Sequence, residues 1–208
     1  MTIEIYSDIV CPFCYIGKTK FEKALAQFEG KENVEIIWRA YQLNPDAKTD
    51  PSVTSLEHFC KIKGVSPDEG KNMYDNVTRI AKESGLVFNL YNAVPANTFR
   101  AHQFSAFAKS KGIQNEVEAA LFAAYFTEGK NIDAITTFIE IGQKYNIPAT
   151  DIEAIFDNNA FADEVDADIE RAHEFGINAV LFFIFDNKYA VKGAQSTEHF
   201  LEVLKKCV

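Results

Sequence analysis

The chain has 208 residues, 47% of them hydrophobic, enough to bury a full core without disulfide or metal staples. Thirty acidic against twenty-one basic residues leave a formal charge of -9, which argues against phosphate backbones and anionic membranes. No apolar run approaches the roughly 20 residues that span a bilayer, so neither a nucleic acid nor a membrane is expected as a partner.

Met1 to Tyr6 alternate as a half-buried strand does, with Ile3 and Ile5 on one face. They carry no basic n-region followed by an apolar h-region, so a cytoplasmic location is expected. In that compartment thiols stay reduced, and a close cysteine pair is catalytic or metal-binding before it is structural. Such a pair follows at once, Cys11-Pro12-Phe13-Cys14, and Phe21, Leu25 and Phe28 then recur at helical spacing until Gly30. From Val34 to Tyr41 the pattern is again β-like, which completes a β-α-β unit with a right-handed crossover and parallel strands.

More than a hundred residues then read as helical. Ser66-Pro67-Asp68-Glu69 combines an N-cap, a proline at the first helical position and a capping-box acid, and Gly85 is the stop. Asn97 or Thr98 and Gly112 bound another helix. Val117 to Tyr125 and Ile135 to Ile139 mark two more, and Thr150 with Glu153 has capping-box spacing ahead of Ile155. Phe161, Val165, Ile169 and Ala172 form one helical face that Gly176 ends. Val180 to Phe185 is an apolar strand, Asp186-Asn187 a tight turn, and Tyr189 to Val191 its partner; a last helix carries Phe200, Val203 and Leu204. The order is β-α-β, helical insertion, β-β-α. It predicts an α/β thioredoxin-like fold, with residues 1–45 and 177–208 forming that domain and residues 46–176 a large all-helical insertion lobe.

Cysteines two residues apart close a small disulfide ring, and a strand-to-helix turn favours the first as a thiolate, because unpaired N–H groups and the helix dipole stabilise an anion there. Cys11 is therefore the expected nucleophile and Cys14 the resolving thiol. Pro12 fits the first turn because its missing N–H has no intrahelical partner, and Phe13 is expected as an exposed aromatic beside the sulfurs. A zinc site wants four ligands, and no second Cys-x-x-Cys or spaced His pair exists, so no metal is expected. Cys60 and Cys207 read as packed thiols.

Ser7-Asp8-Ile9-Val10-Cys11-Pro12-Phe13-Cys14-Tyr15-Ile16-Gly17 resembles the opening motif of the FrnE-like branch of the DsbA family. The resemblance extends to Asn97-Thr98-Phe99-Arg100-Ala101-His102 and to Phe182 through Gln195. It implies a thioredoxin fold with a helical insertion and disulfide oxidoreductase or isomerase activity on protein or small-molecule thiols and disulfides. No resident cofactor is implied, and glutathione is a candidate co-substrate. It also makes Asn97 and His102 candidates for lining the substrate groove, against capping for Asn97 and ordinary packing for His102. Related glutathione-dependent isomerases and transferases usually carry Ser at the first cysteine, so Cys11 favours redox chemistry over conjugation; a client-holding chaperone is the other alternative. One departure concerns Val180-Leu181, where the family has Val and a cis-proline. A cis bond costs about 2.5–4 kcal/mol before leucine against about 0.5–1 before proline, so the loop is expected either to be strained or to turn trans. Loss of the ring is expected to impair substrate docking and to expose the sulfurs to a metal or an adduct.

Overall fold

Strand β1 (Thr2–Ser7) is buried from Ile3 onward on both faces, which places it inside a sheet and not at its edge. The computed structural model describes residues 1–207 and arranges four strands in the order β2-β1-β3-β4. Strand β2 (Glu35–Ala40) is parallel to β1, with Ile3 opposite Ile36, as the β-α-β reading requires. Strand β3 (Phe182–Phe185) is antiparallel to β1, with Ile5 opposite Phe183, and β4 (Tyr189–Lys192) is antiparallel to β3. The turn between them has φ of 47° at Asp186 and 54° at Asn187, and Lys188 N–H returns to Phe185 O at 3.0 Å or less, 2.9 Å. Positive φ at both residues matches the right-handed twist of the strands in this three-residue connection, and Asn and Asp tolerate it.

Helix α1 (Pro12–Ala26) and helix α9 (Thr197–Lys206) pack together on one face of the sheet. Phe21 of α1 lies 5.2 Å from the Phe183 ring and 5.6 Å from Phe200 of α9, so an aromatic knot joins both helices to the central strands. Helix α8 (Ala162–Glu174) is fixed to β2 by Asp168, which accepts Ala40 N–H at 3.1 Å and an Arg39 N–H at 2.9 Å. The boundary expected at residue 176 groups α8 with the insertion, and α8 packs on lobe helix α4 (Phe99–Ser110) as well as on β2.

The remaining lobe helices are α2 (Ser55–Lys63), α3 (Pro67–Glu83), α5 (Gln114–Phe126), α6 (Ile135–Lys144) and α7 (Ala149–Asp157). Ser66 and Glu69 form the expected capping box, and Thr54 with Glu57 forms a second. The expected box at Thr150 and Glu153 does not form. Pro148, with φ of −61° and an extended ψ, is the N-cap, and its carbonyl takes the Asp151 and Ile152 N–H groups, so Thr150 already lies inside the first turn. The lobe is joined to the sheet domain by Tyr15, which stacks on Phe122 at 5.1 Å and Phe88 at 5.8 Å, and by Gln114. That amide accepts from Trp38 N and donates to Trp38 O, both at 3.1 Å, replacing the missing neighbour of edge strand β2.

Candidate active site

Strand β1 ends at Ser7, and the chain turns over Asp8 to Val10 into α1. Cys11 N–H bonds to Asp8 O at 3.0 Å, and Cys11 is the N-cap residue, extended at φ −88° and ψ 111°, with proline as the first helical residue. Cys11 is 5% exposed, Cys14 fully buried one turn inward, and Phe13 between them 41% exposed. The Cys14 thiol donates to Cys11, and with the backbone N–H groups of Cys14 and Phe13 it holds the Cys11 thiol below its ordinary value, against burial and the Asp8 charge. Burial pushes the Cys14 thiol well above its ordinary value, and the neighbouring Cys11 sulfur adds to this. Cys11 is thus the more readily ionised of the two sulfurs, and both cysteines are free.

The Val180 carbonyl lies 3.9 Å from Cys11 Sγ. The Val180–Leu181 peptide bond is cis, not trans, and Leu181 O accepts Gly193 N–H at 2.7 Å. Leu181 is fully buried and fills the space beside the helix, so the expectation of exposed sulfurs is not met. Gly17 makes this fit possible: a Cβ there would lie 2.4 Å from Leu181 Cδ2 and 3.2 Å from Ala194 Cα. Gly17→Ala is therefore expected to destabilise the protein by about 1–3 kcal/mol through overpacking, read as a lower urea midpoint at unchanged slope. An unchanged midpoint would show that the loop yields freely.

Asn97, half-buried, and His102, buried, are both brought toward this end of the sheet. The Asn97 amide donates to the carbonyls of Pro45 and Ala47 at 3.1 and 2.9 Å, and its oxygen accepts from Phe99 N and Gln42 Nε2 at 2.8 and 3.1 Å. Its four hydrogen-bonding positions are all engaged within the chain, where it stands before the N-cap Thr98, accepts the first N–H of α4 and ties down the loop after β2. His102 is 4% exposed and faces Asp8, itself 1% exposed. Cys60 donates to Ser66 O at 3.6 Å in the α2–α3 turn, and Cys207 follows α9. Among the described residues no group of His, Cys, Asp or Glu is placed to hold a metal ion.

The sequence reading missed three buried polar groups, one of them at the cysteine pair. Ser7 Oγ is buried with no oxygen or nitrogen partner and bears on the Cys14 sulfur. Lys18 is 1% exposed, paired with Glu22, and its Nζ lies 5.6 Å from the centre of the Trp38 ring. Glu118 is 2% exposed and accepts from Ser105 Oγ at 2.5 Å. Only Lys18 left a local signal: it stands four residues after Cys14 and three before Phe21, on the same buried stripe.

Residues 2–205 match the family model described as DSBA-like thioredoxin domain. The crystal structure of a probable DsbA oxidoreductase from Streptomyces coelicolor superposes with a TM-score of 0.92, at 31% identity, over 100% of this chain and 89% of that one. The cytosolic disulfide reductase DsbM from Pseudomonas aeruginosa shares the fold, with a TM-score of 0.69 at 16% identity over 99% of this chain and 98% of that one. The uncharacterized protein YwbO of Bacillus subtilis is 26% identical over 95% of this chain and 92% of its own length.

Proposed function

The chain belongs to the DSBA-like thioredoxin domain family, and from that premise we propose that it is a thiol-disulfide oxidoreductase with Cys11 as nucleophile and Cys14 as resolving thiol. The observation that carries this reading is the asymmetry of the pair, a Cys11 thiol lowered at a helix N-cap over a Cys14 thiol raised by burial. The Cys11 thiolate attacks a substrate disulfide, forms a mixed disulfide and expels the first substrate sulfur as thiolate. Cys14 then gives up its proton and attacks the Cys11 sulfur; the internal disulfide forms, and the second substrate sulfur leaves and takes up a proton. The reverse sequence reduces the pair at the expense of a thiol substrate.

Substrates are protein or small-molecule thiols and disulfides, with glutathione as the candidate co-substrate and the cytoplasm as the compartment. Phe13 at 41% exposure and Leu43 at 50% suit an apolar polypeptide, since Leu43 N–H bonds to Asp8 Oδ2 at 2.7 Å and so lies at the cysteine end of the sheet. The Val180 carbonyl stands 3.9 Å from Cys11 Sγ, where it would orient a substrate against that sulfur.

Alkylation of Cys11 followed across a pH series tests the reading. Its midpoint is expected below that of free cysteine, about 8.5; a midpoint at or above that value would remove the chemical basis of the proposal. The sign for stability follows: the contribution of Cys11 to the reduced protein is present above the free value and lost as pH falls through the lowered one.

A further inference from the structure

The buried Asp8–His102 contact has a function in exchange itself, and the inference rests on the reading of Cys11 and Cys14 given above. His102 Nε2 stands 3.1 Å from Tyr41 O and 3.5 Å from Asp8 Oδ1. A carbonyl only accepts, so Nε2 carries hydrogen and Nδ1 is the position that gains or loses a proton. Asp8 Oδ2 accepts Leu43 N–H, while Oδ1 has no other polar partner within hydrogen-bond distance. The same residue bears on the nucleophile, because Asp8 O accepts Cys11 N–H and the Asp8 charge opposes the Cys11 thiolate. One buried residue therefore ties the cysteine turn through its carbonyl and meets the imidazole through its carboxylate, whose charge disfavours a Cys11 thiolate and favours an imidazolium.

The remaining charges around His102 are Glu118 on α5, whose Oε2 is buried without a partner, and Lys18 on α1, which acts on Glu118. Across a small cavity that His102 also lines stand Arg39, Asp168 and Glu164. Arg39 is already engaged by Glu4 at 2.5 Å and Asp168 at 2.9 Å, and Glu164 by Lys109 at 2.6 Å. Burial alone would lower His102, but Asp8 and then Glu118 outweigh it and raise the imidazole above its ordinary value.

We propose that reduction of the Cys11–Cys14 disulfide is coupled to proton uptake by His102, so that the helical lobe supplies the countercharge that lets Asp8 and the Cys11 thiolate coexist. A donor dithiol supplies two electrons and two protons and leaves as a disulfide. The S–S bond of the pair breaks, Cys11 becomes thiolate, Cys14 takes one proton on sulfur, and His102 takes the other on Nδ1. On oxidation the thiolate charge vanishes, and His102 returns its proton. By linkage, the imidazole is more basic in the reduced protein than in the oxidised one. Between those two midpoints reduction consumes two protons per two electrons instead of one. The pair's own potential then falls by about 30 mV more per pH unit, and because a thiol donor also releases two protons, the equilibrium constant with that donor loses its tenfold change per pH unit and is flat across this window.

His102 acts through Asp8 and is a positioning residue, so the test reads proton and redox equilibria together. The His102 ring is titrated by NMR in the full chain in both redox states, with Cys11→Ser as a third sample that lacks the thiolate. The expected result is about tenfold higher proton affinity in the reduced wild type, with Cys11→Ser following the oxidised form. Redox titration in glutathione buffers over the same pH range is expected to give an exchange constant that is flat between the two midpoints in wild type and changes about tenfold per pH unit in His102→Gln, whose amide can still donate to Tyr41 O. Equal His102 midpoints in two redox states that do interconvert would overturn this inference and leave the exchange reading standing. A pair that never forms its disulfide would overturn both, and because the wild-type titration decides by itself, misfolding of His102→Gln does not rescue the idea.

Discussion

Replacing Cys14 by Ser is expected to convert the protein from a turnover catalyst into a covalent trap. The Cys11 thiolate still attacks, but the fully buried thiol one helical turn away no longer expels the product. Well-oriented intramolecular groups reach effective molarities of about 10⁵–10⁸ M, so release by millimolar external thiol lowers turnover by at least about a thousandfold. Intact mass should rise by the mass of the captured substrate half, and the adduct should disappear on adding dithiothreitol. Cys11→Ser is expected to show neither adduct nor turnover. The comparison also discriminates between functions, because glutathione conjugation or client holding survives loss of Cys14 and exchange does not. Wild-type turnover in Cys14→Ser would eliminate the resolving role.

The largest effect on stability is expected at Phe183, which is fully buried on β3 with its ring 4.8 Å from Phe200 and 5.2 Å from Phe21. Phe183→Ala removes the ring through which α1 and α9 contact the middle of the sheet. Large-to-small core changes of this kind cost about 3–5 kcal/mol, the lost transfer energy plus the cavity left behind. Since whole-domain stability is only about 5–15 kcal/mol, the variant should lose a large part of its denaturant midpoint. A shift smaller than about 1 kcal/mol would mean that the helices collapse into the space, and that this aromatic knot is not where sheet and helices are held. The Cys11 alkylation profile in native buffer should change little, because the local N-cap geometry that sets it lies at the other end of α1.

The positions of most elements were legible because their signals are short-range. Ile3 and Ile5 announce a strand by period, and Ser66 with Glu69 announces a helix start by a reciprocal bond across one turn. The Cys-Pro-Phe-Cys run marks a cysteine pair at a helix start because strand, turn and helix are consecutive. Thr150 shows the limit of such patterns: its spacing fits a cap, but Pro148 two residues earlier already starts the helix. At Leu181 the sequence left the geometry of the bond open, and the structure makes it cis, with leucine packed where Gly17 leaves room.

By itself the sequence determined the α/β order, the helical insertion and the location of the cysteine pair at a helix start, since each depends on neighbours within about one or two turns of chain. Only the tertiary structure decided that Asp8 meets His102, that Gln114 completes the edge of β2 from 76 residues away, and that Lys18 is buried under Trp38. The reason is physical: the charge state of a buried group is set by desolvation and by whatever folds against it, and no local period records either.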